Sequence, residues 1–195
     1  MIGNRRGDQL YLIGVREQAV TDDCTRVTFF TTRRDLTAFA CRLRSSRKAV
    51  ILLGPDIDDP EVRSQLDRLA EEIGGKGVGS IRLDYRYPGD RAQCAIDALL
   101  ACQYLDDEGI SDVLLVGWGF GAAVALAAGS VGRIVSGVAA IHPPDLPECC
   151  LQWIGKRRLF LVEGDRYSHS ELADWILRSL DTLRFAQDEH RAVAS

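Results

Sequence analysis

Acid, histidine and clustered glycine fall at four places in this 195-residue chain, each just beyond a run that reads as a strand: Gly54-Pro55-Asp56, Gly117 to Gly121, Gly164-Asp165 and His190. In a parallel sheet, ligands collect outside the carboxyl ends of the strands, so these residues are the ones placed to do chemistry. Asp165 and His190 are acid–base types. Gly117-Trp118-Gly119-Phe120-Gly121-Ala122 fits G-x-G-x-x-[GA], the turn that brings a pyrophosphate close to the start of a helix. Two features oppose that use. The dinucleotide fingerprint normally opens its domain, whereas several strands precede Gly117. Its ribose-binding acid should also end the next strand, which instead closes with Ile141-His142-Pro143. His142, His169 and His190 lie too far apart to make a metal signature, and neither a metal nor a cofactor is expected.

These points need a sheet to hold them in one row. Leu10–Val15, Arg26–Thr32 and Leu36–Leu43 are rich in β-branched and aromatic residues. The turn-like clusters Thr21-Asp22-Asp23 and Arg33-Arg34-Asp35 separate them, so three antiparallel strands are expected within residues 1–45. From 48 to 190, strands alternate with helices. Ala49–Leu53 is an apolar run ended by Gly54-Pro55. Asp59-Pro60-Glu61 is an N-cap with proline at the first helical position. Val62, Leu66, Leu69, Ala70 and Ile73 then recur at helical spacing until Gly74-Gly75 stops them. Val78–Tyr85 reads as a strand, and Asp90 with Gln93 caps a helix to about Glu108. The strand Val113–Val116 leads into a helix after Gly119. Ile134–Ile141 and Arg158–Val162 are strands, Ser168 with Glu171 starts a helix to about Leu180, and Thr182–Ala186 is a last strand. The pattern predicts one α/β domain over residues 1–195, a mostly parallel sheet with antiparallel N-terminal strands and helices on both faces.

VLLVGWGFGAAVALAA, from Val113 to Ala128, resembles the nucleophile elbow of the α/β-hydrolases, written G-x-S-x-G between a strand and a helix. RLDYRYPGD, from Arg82 to Asp90, resembles the strand and loop before the elbow in small lidless serine hydrolases related to dienelactone hydrolase. LVEGD, ending at Asp165, resembles the strand end that presents the catalytic acid, and the Glu189-His190 corner resembles the catalytic-histidine loop. The resemblance covers about Lys48 to His190 and keeps the order elbow, acid, histidine.

It implies an esterase-like fold acting on a small ester or acyl ligand. Gly119 would stand at the nucleophile position, with His190 as the base and Asp165 orienting it. The backbone N–H of Phe120 would be one oxyanion donor. A second would come from the loop after Leu53, at Asp56 or Ile57, since Pro55 has no N–H. Trp118, Pro55 and Tyr87 would line the substrate pocket, and Asp84 would brace the loop beside the elbow.

Gly119 departs from the family pattern at the atom that carries the reaction. Acyl transfer by this route needs an oxygen or sulfur nucleophile, and glycine has neither. Glycine does suit the turn, because positive φ costs it nothing. Three explanations follow: natural loss of activity, an engineered or variant form of a working carboxylic-ester hydrolase, or a native glycine with another role. The last includes water attack assisted by His190 or a cysteine reaching in; a separate alternative is a non-enzymatic nucleotide- or ligand-binding module using the Gly117–Ala122 turn.

Composition narrows the partners. An apolar share of 46%, a charged share of 27% and a net charge of −4 describe a globular domain without a basic face for nucleic acid. Met1 to Gly7 carries charge but no apolar run follows, so no signal peptide is read and a cytoplasmic address is expected. Val113–Gly132 is uncharged and long enough to suggest a membrane span, yet it divides into a β run, a glycine turn and an alanine-rich helix. The six cysteines (Cys24, Cys41, Cys94, Cys102, Cys149 and Cys150) match no zinc spacing, and reduced, mostly buried thiols are expected.

Overall fold

The computed structural model describes residues 10–43, 46–57, 59–144, 154, 158–162 and 168–192, with 158, 169 and 182–192 as backbone only. Three antiparallel strands open the chain: β1 (Leu12–Ala19), β2 (Cys24–Thr31) and β3 (Leu36–Cys41). There follow β4 (Lys48–Leu53), α1 (Pro60–Gly74), β5 (Gly79–Asp84), α2 (Arg91–Asp107), β6 (Asp112–Trp118), α3 (Phe120–Val131), β7 (Val135–Ile141), β8 (Arg158–Val162) and α4 (His169–Ala192). All eight strands form one sheet in the order β1-β2-β3-β5-β4-β6-β7-β8. The five from β5 to β8 are parallel, and β3 joins them antiparallel through β5.

Burial explains the choice of elements. Ala49 to Leu53 in β4 and Val113 to Trp118 in β6 are buried without a break, the signature of strands covered on both faces. On one face Ile51 and Leu115 pack with Leu105 of α2 and Val124 of α3. On the other, Val50, Leu52 and Leu114 meet Leu69 of α1 and Ile176 of α4. The uncharged stretch therefore divides into β6 and α3. Among the described residues, no helix is long and apolar enough to cross a membrane.

The caps read from the sequence are made. Asp59 accepts from the N–H groups of Glu61 and Val62, and Asp90 accepts from that of Gln93. Ser168 and Glu171 bond reciprocally, at 2.8 and 3.2 Å.

Two expectations are corrected. Thr182–Ala186 is not a strand: α4 runs on to Ala192, because no glycine or proline follows Ser168 to stop it. Cys24 and Cys41 are not free thiols. They face each other across β2 and β3, with Arg42 N–H donating to Asp23 O beside them, and form a disulfide at a Cα separation of 4.2 Å. A directly opposed pair without mutual hydrogen bonds is where antiparallel strands come closest.

Chain connectivity sets the location of the site. From β4 the chain crosses α1 to reach β5 on one side, then crosses α2 to reach β6 on the other. The carboxyl ends of β4 and β6 thus flank the point where the winding reverses, and open α/β sheets bind ligands at such points.

Candidate active site

The elbow is a piece of backbone with almost no latitude. Gly119 sits between β6 and α3 at φ 52°, ψ −118°. Its N–H donates to Ile141 O of β7 at 2.8 Å, and its own carbonyl accepts from Ala122 N–H at 3.0 Å. The flanking glycines are demanded by contact. A Cβ on Gly117 would lie 2.1 Å from Gly121 O, and one on Gly121 would lie 2.1 Å from Leu53 O and 2.5 Å from Gly54 O. At Gly119 the space is open, with nothing within 4 Å of where a Cβ would stand. A side chain there would meet backbone strain and no steric obstacle.

The start of α3 lies directly beside the bend. Phe120 begins α3, and the first helical bonds are those of Ala122 and Ala123 to Gly119 O. The N–H of Phe120 therefore belongs to the helix-start donors that have no intrahelical acceptor, and the helix dipole favours negative charge there. The loop after β4 closes against the same spot, since Gly54 O approaches Gly121.

On the β5 side of the elbow lies a cavity of about 210 Å³, walled by Pro55, Asp56, Arg63, Arg82, Asp84 and Tyr85 among others. Arg82 is held by Asp84 at 3.4 Å, within the same strand, and by Asp67 of α1 at 3.8 Å. Pro55 and Asp56 are both among the residues that line the cavity. Trp118 is corrected: it is 4% exposed and packs with Val116 and Leu172 in the core. The alternation of β6 explains this, because Leu114, Val116 and Trp118 all point to the face covered by α1 and α4. Tyr87 lies beyond β5 with the guanidinium groups of Arg34 and Arg86 over its ring, at 5.9 and 5.8 Å.

Asp165 lies outside the described residues. His190 falls within α4, so its backbone is helical and not at a strand corner, and its side chain is outside those described. His142 is exposed just after β7 at φ 49°. Its N–H donates to Val162 O at 2.9 Å. Among the described residues, no cluster of His, Cys, Asp or Glu could hold a metal ion.

The cysteine route to a nucleophile is closed at α2. Cys94 and Cys102 are buried, and burial pushes each thiol up to about 12, far from the thiolate form at neutral pH. Sequence reasoning missed a buried ion pair beside them. Asp97 accepts from Arg86 N–H at 2.9 Å and from its Nε, with both side chains fully buried. Asp97 was legible: it shares the helical spacing of Cys94, Ala98, Ala101 and Leu105, a carboxylate on the apolar face.

No protein-family model matches the chain, and no curated protein matches its sequence. Solved structures do resemble it. An esterase from Pyrococcus furiosus is 18% identical with a TM-score of 0.60, over 71% of this chain and 70% of that one. A serine hydrolase without a lid from Xanthomonas campestris is 14% identical with a TM-score of 0.60, over 85% and 97%. Dienelactone hydrolase from Anabaena variabilis is 16% identical with a TM-score of 0.59, over 85% and 95%. At such identities the likeness establishes the fold, which is that of the α/β-hydrolases.

Proposed function

We propose that this chain is an esterase-like hydrolase disarmed at its nucleophile, which binds a small acyl or ester ligand between the ends of β4 and β6 without forming an acyl-enzyme. One observation carries the reading: Gly119 keeps the left-handed bend of an elbow, with room for a side chain, and has none. In this account Asp165 keeps the orienting role and His190 the base role, His190 acting from the last turn of α4 and not from a loop; Phe120 N–H remains an anion donor, and Asp56 or Ile57 supplies the second. The missing atom is the one that would attack the carbonyl. Loss of a triad serine costs on the order of 10⁶ in turnover.

The neighbours that share this fold include esterases and a dienelactone hydrolase, which supports an ester or acyl class of ligand. A cytoplasmic address belongs to the same proposal. The Cys24–Cys41 disulfide seen in the structure would then form only under oxidising conditions, the two thiols being kept reduced in the cell. Acid-quenched thiol counting checks this, since a disulfide recovered from intact cells would contradict that address.

Turnover of a short-chain aryl ester by the chain as it stands, beside Gly119→Ser, tests the functional reading. Hydrolysis by the serine form alone is expected. Hydrolysis by neither form, or hydrolysis by the glycine form, would overturn the proposal.

A further inference from the structure

We infer that Tyr85 is the positioning residue of the oxyanion site, holding the loop after β4 against the elbow; this rests on the esterase-like reading above. Tyr85 follows β5 and reaches both halves of the anion-binding corner. Its hydroxyl donates to Gly54 O at 3.2 Å. Its ring meets the ring of Phe120 edge-on, with centroids 6.0 Å apart at 78°.

The bond matters because of where Gly54 O stands. That carbonyl lies so close to Gly121 that a Cβ there would sit 2.5 Å away, one residue from the donor at Phe120. A donor that holds this carbonyl therefore fixes the loop after β4 against the start of α3. Tyr85 provides that donor. Burial raises its pKa well above the usual value, so the hydroxyl keeps its proton. Pro55 follows Gly54 and has no N–H, so that residue offers no amide to anchor the loop.

Tyr85 is itself held firmly. The next residue, Arg86, gives its N–H and Nε to Asp97, and its carbonyl accepts from Arg34 Nη1 at 2.9 Å. The strut therefore runs from Asp97 in α2, through Arg86 and Tyr85 in the loop after β5, to the carbonyl of Gly54. Its physical effect is to fix the direction in which the amides of Asp56 and Ile57 are offered.

The test pairs two readouts. In the Gly119→Ser background, Tyr85→Phe keeps the ring contact and removes the hydroxyl. We expect kcat for the aryl ester to fall about three- to tenfold, as for loss of one neutral hydrogen bond, with KM within twofold and the melting temperature unchanged. An unchanged kcat, or a fall that follows the melting temperature, overturns the inference. In the glycine chain, Tyr85→Phe should speed hydrogen exchange of the Gly54, Asp56 and Ile57 amides while α3 keeps its protection. Unchanged exchange there overturns it equally. An inactive Gly119→Ser defeats the functional reading, and the exchange measurement then decides the role of Tyr85 alone.

Discussion

Gly119 gives its N–H to the carbonyl of Ile141 across 2.8 Å, so the elbow is pinned to β7 by backbone alone. The bend persists whatever side chain stands at 119. What that side chain changes is strain. Gly119→Ser places a β-carbon at φ 52°, which costs about 1–3 kcal/mol. Differential scanning calorimetry should show a melting temperature lower by roughly 2–10 °C. A serine form as stable as the glycine form would mean that the bend had relaxed.

Gly121 and Gly117 should behave in the opposite sense to Gly119. An added Cβ at either meets carbonyl backbone at 2.1 Å, and backbone cannot rotate aside as a side chain can. Alanine at Gly121 is expected to cost about 3 kcal/mol or more, beyond ordinary overpacking. Urea unfolding of Gly117→Ala, Gly119→Ala and Gly121→Ala would check the order, with Gly119→Ala the mildest.

The elbow was legible because its constraints are local. A tight strand-to-helix turn forbids side chains at fixed offsets, so Gly117 and Gly121 announce it in one dimension. Caps are equally local, and Asp59, Asp90 and Ser168 make the bonds their spacing implies. Burial on both faces made β4 and β6 readable as unbroken apolar runs. Where neighbours decide, legibility fails. β1 begins and ends later than its apolar residues indicate, because an edge strand with both faces exposed has no burial pattern to display. A stretch from Thr182 to Ala186 with β-type residues is helix, since nothing stops the preceding helix. Trp118 looks like a pocket residue until the alternation of β6 turns it inward. The pairing of Cys24 with Cys41 exists only through the register of two strands.

That pairing should be worth measuring. The disulfide closes a sequence separation of 17 residues, for which loop entropy predicts about 3 kcal/mol. Chemical unfolding with and without dithiothreitol, beside Cys24→Ser with Cys41→Ser, gives the value. Reduction should lower the midpoint of the native chain and leave the double variant unmoved. Equal midpoints would show that the strands hold without it.

The buried pair of Arg86 and Asp97 should be costly to break by halves. Asp97→Ala leaves a guanidinium uncompensated in the core, where only its main chain and Nε had partners, and about 3–5 kcal/mol is expected. Replacing both residues, Arg86→Met with Asp97→Leu, should cost much less. A double-variant loss as large as the single one would contradict the electrostatic account and assign the pair a packing role.

Cys94 and Cys102 should stay silent to iodoacetamide in the folded protein. With thiols pushed up to about 12, only about one in ten thousand is thiolate at pH 8. Peptide mass mapping should find both unmodified until urea is added. Rapid labelling of Cys94 in the native state would reopen the cysteine as a nucleophile.

The central claim is that an elbow stands complete except for its reacting atom. Intact-mass measurement after a fluorophosphonate probe tests it most directly, since the probe marks only an activated nucleophile. The account predicts no adduct on the glycine chain and a single adduct, mapped to position 119, on Gly119→Ser. An adduct on the glycine chain, or none on the serine form, would contradict it.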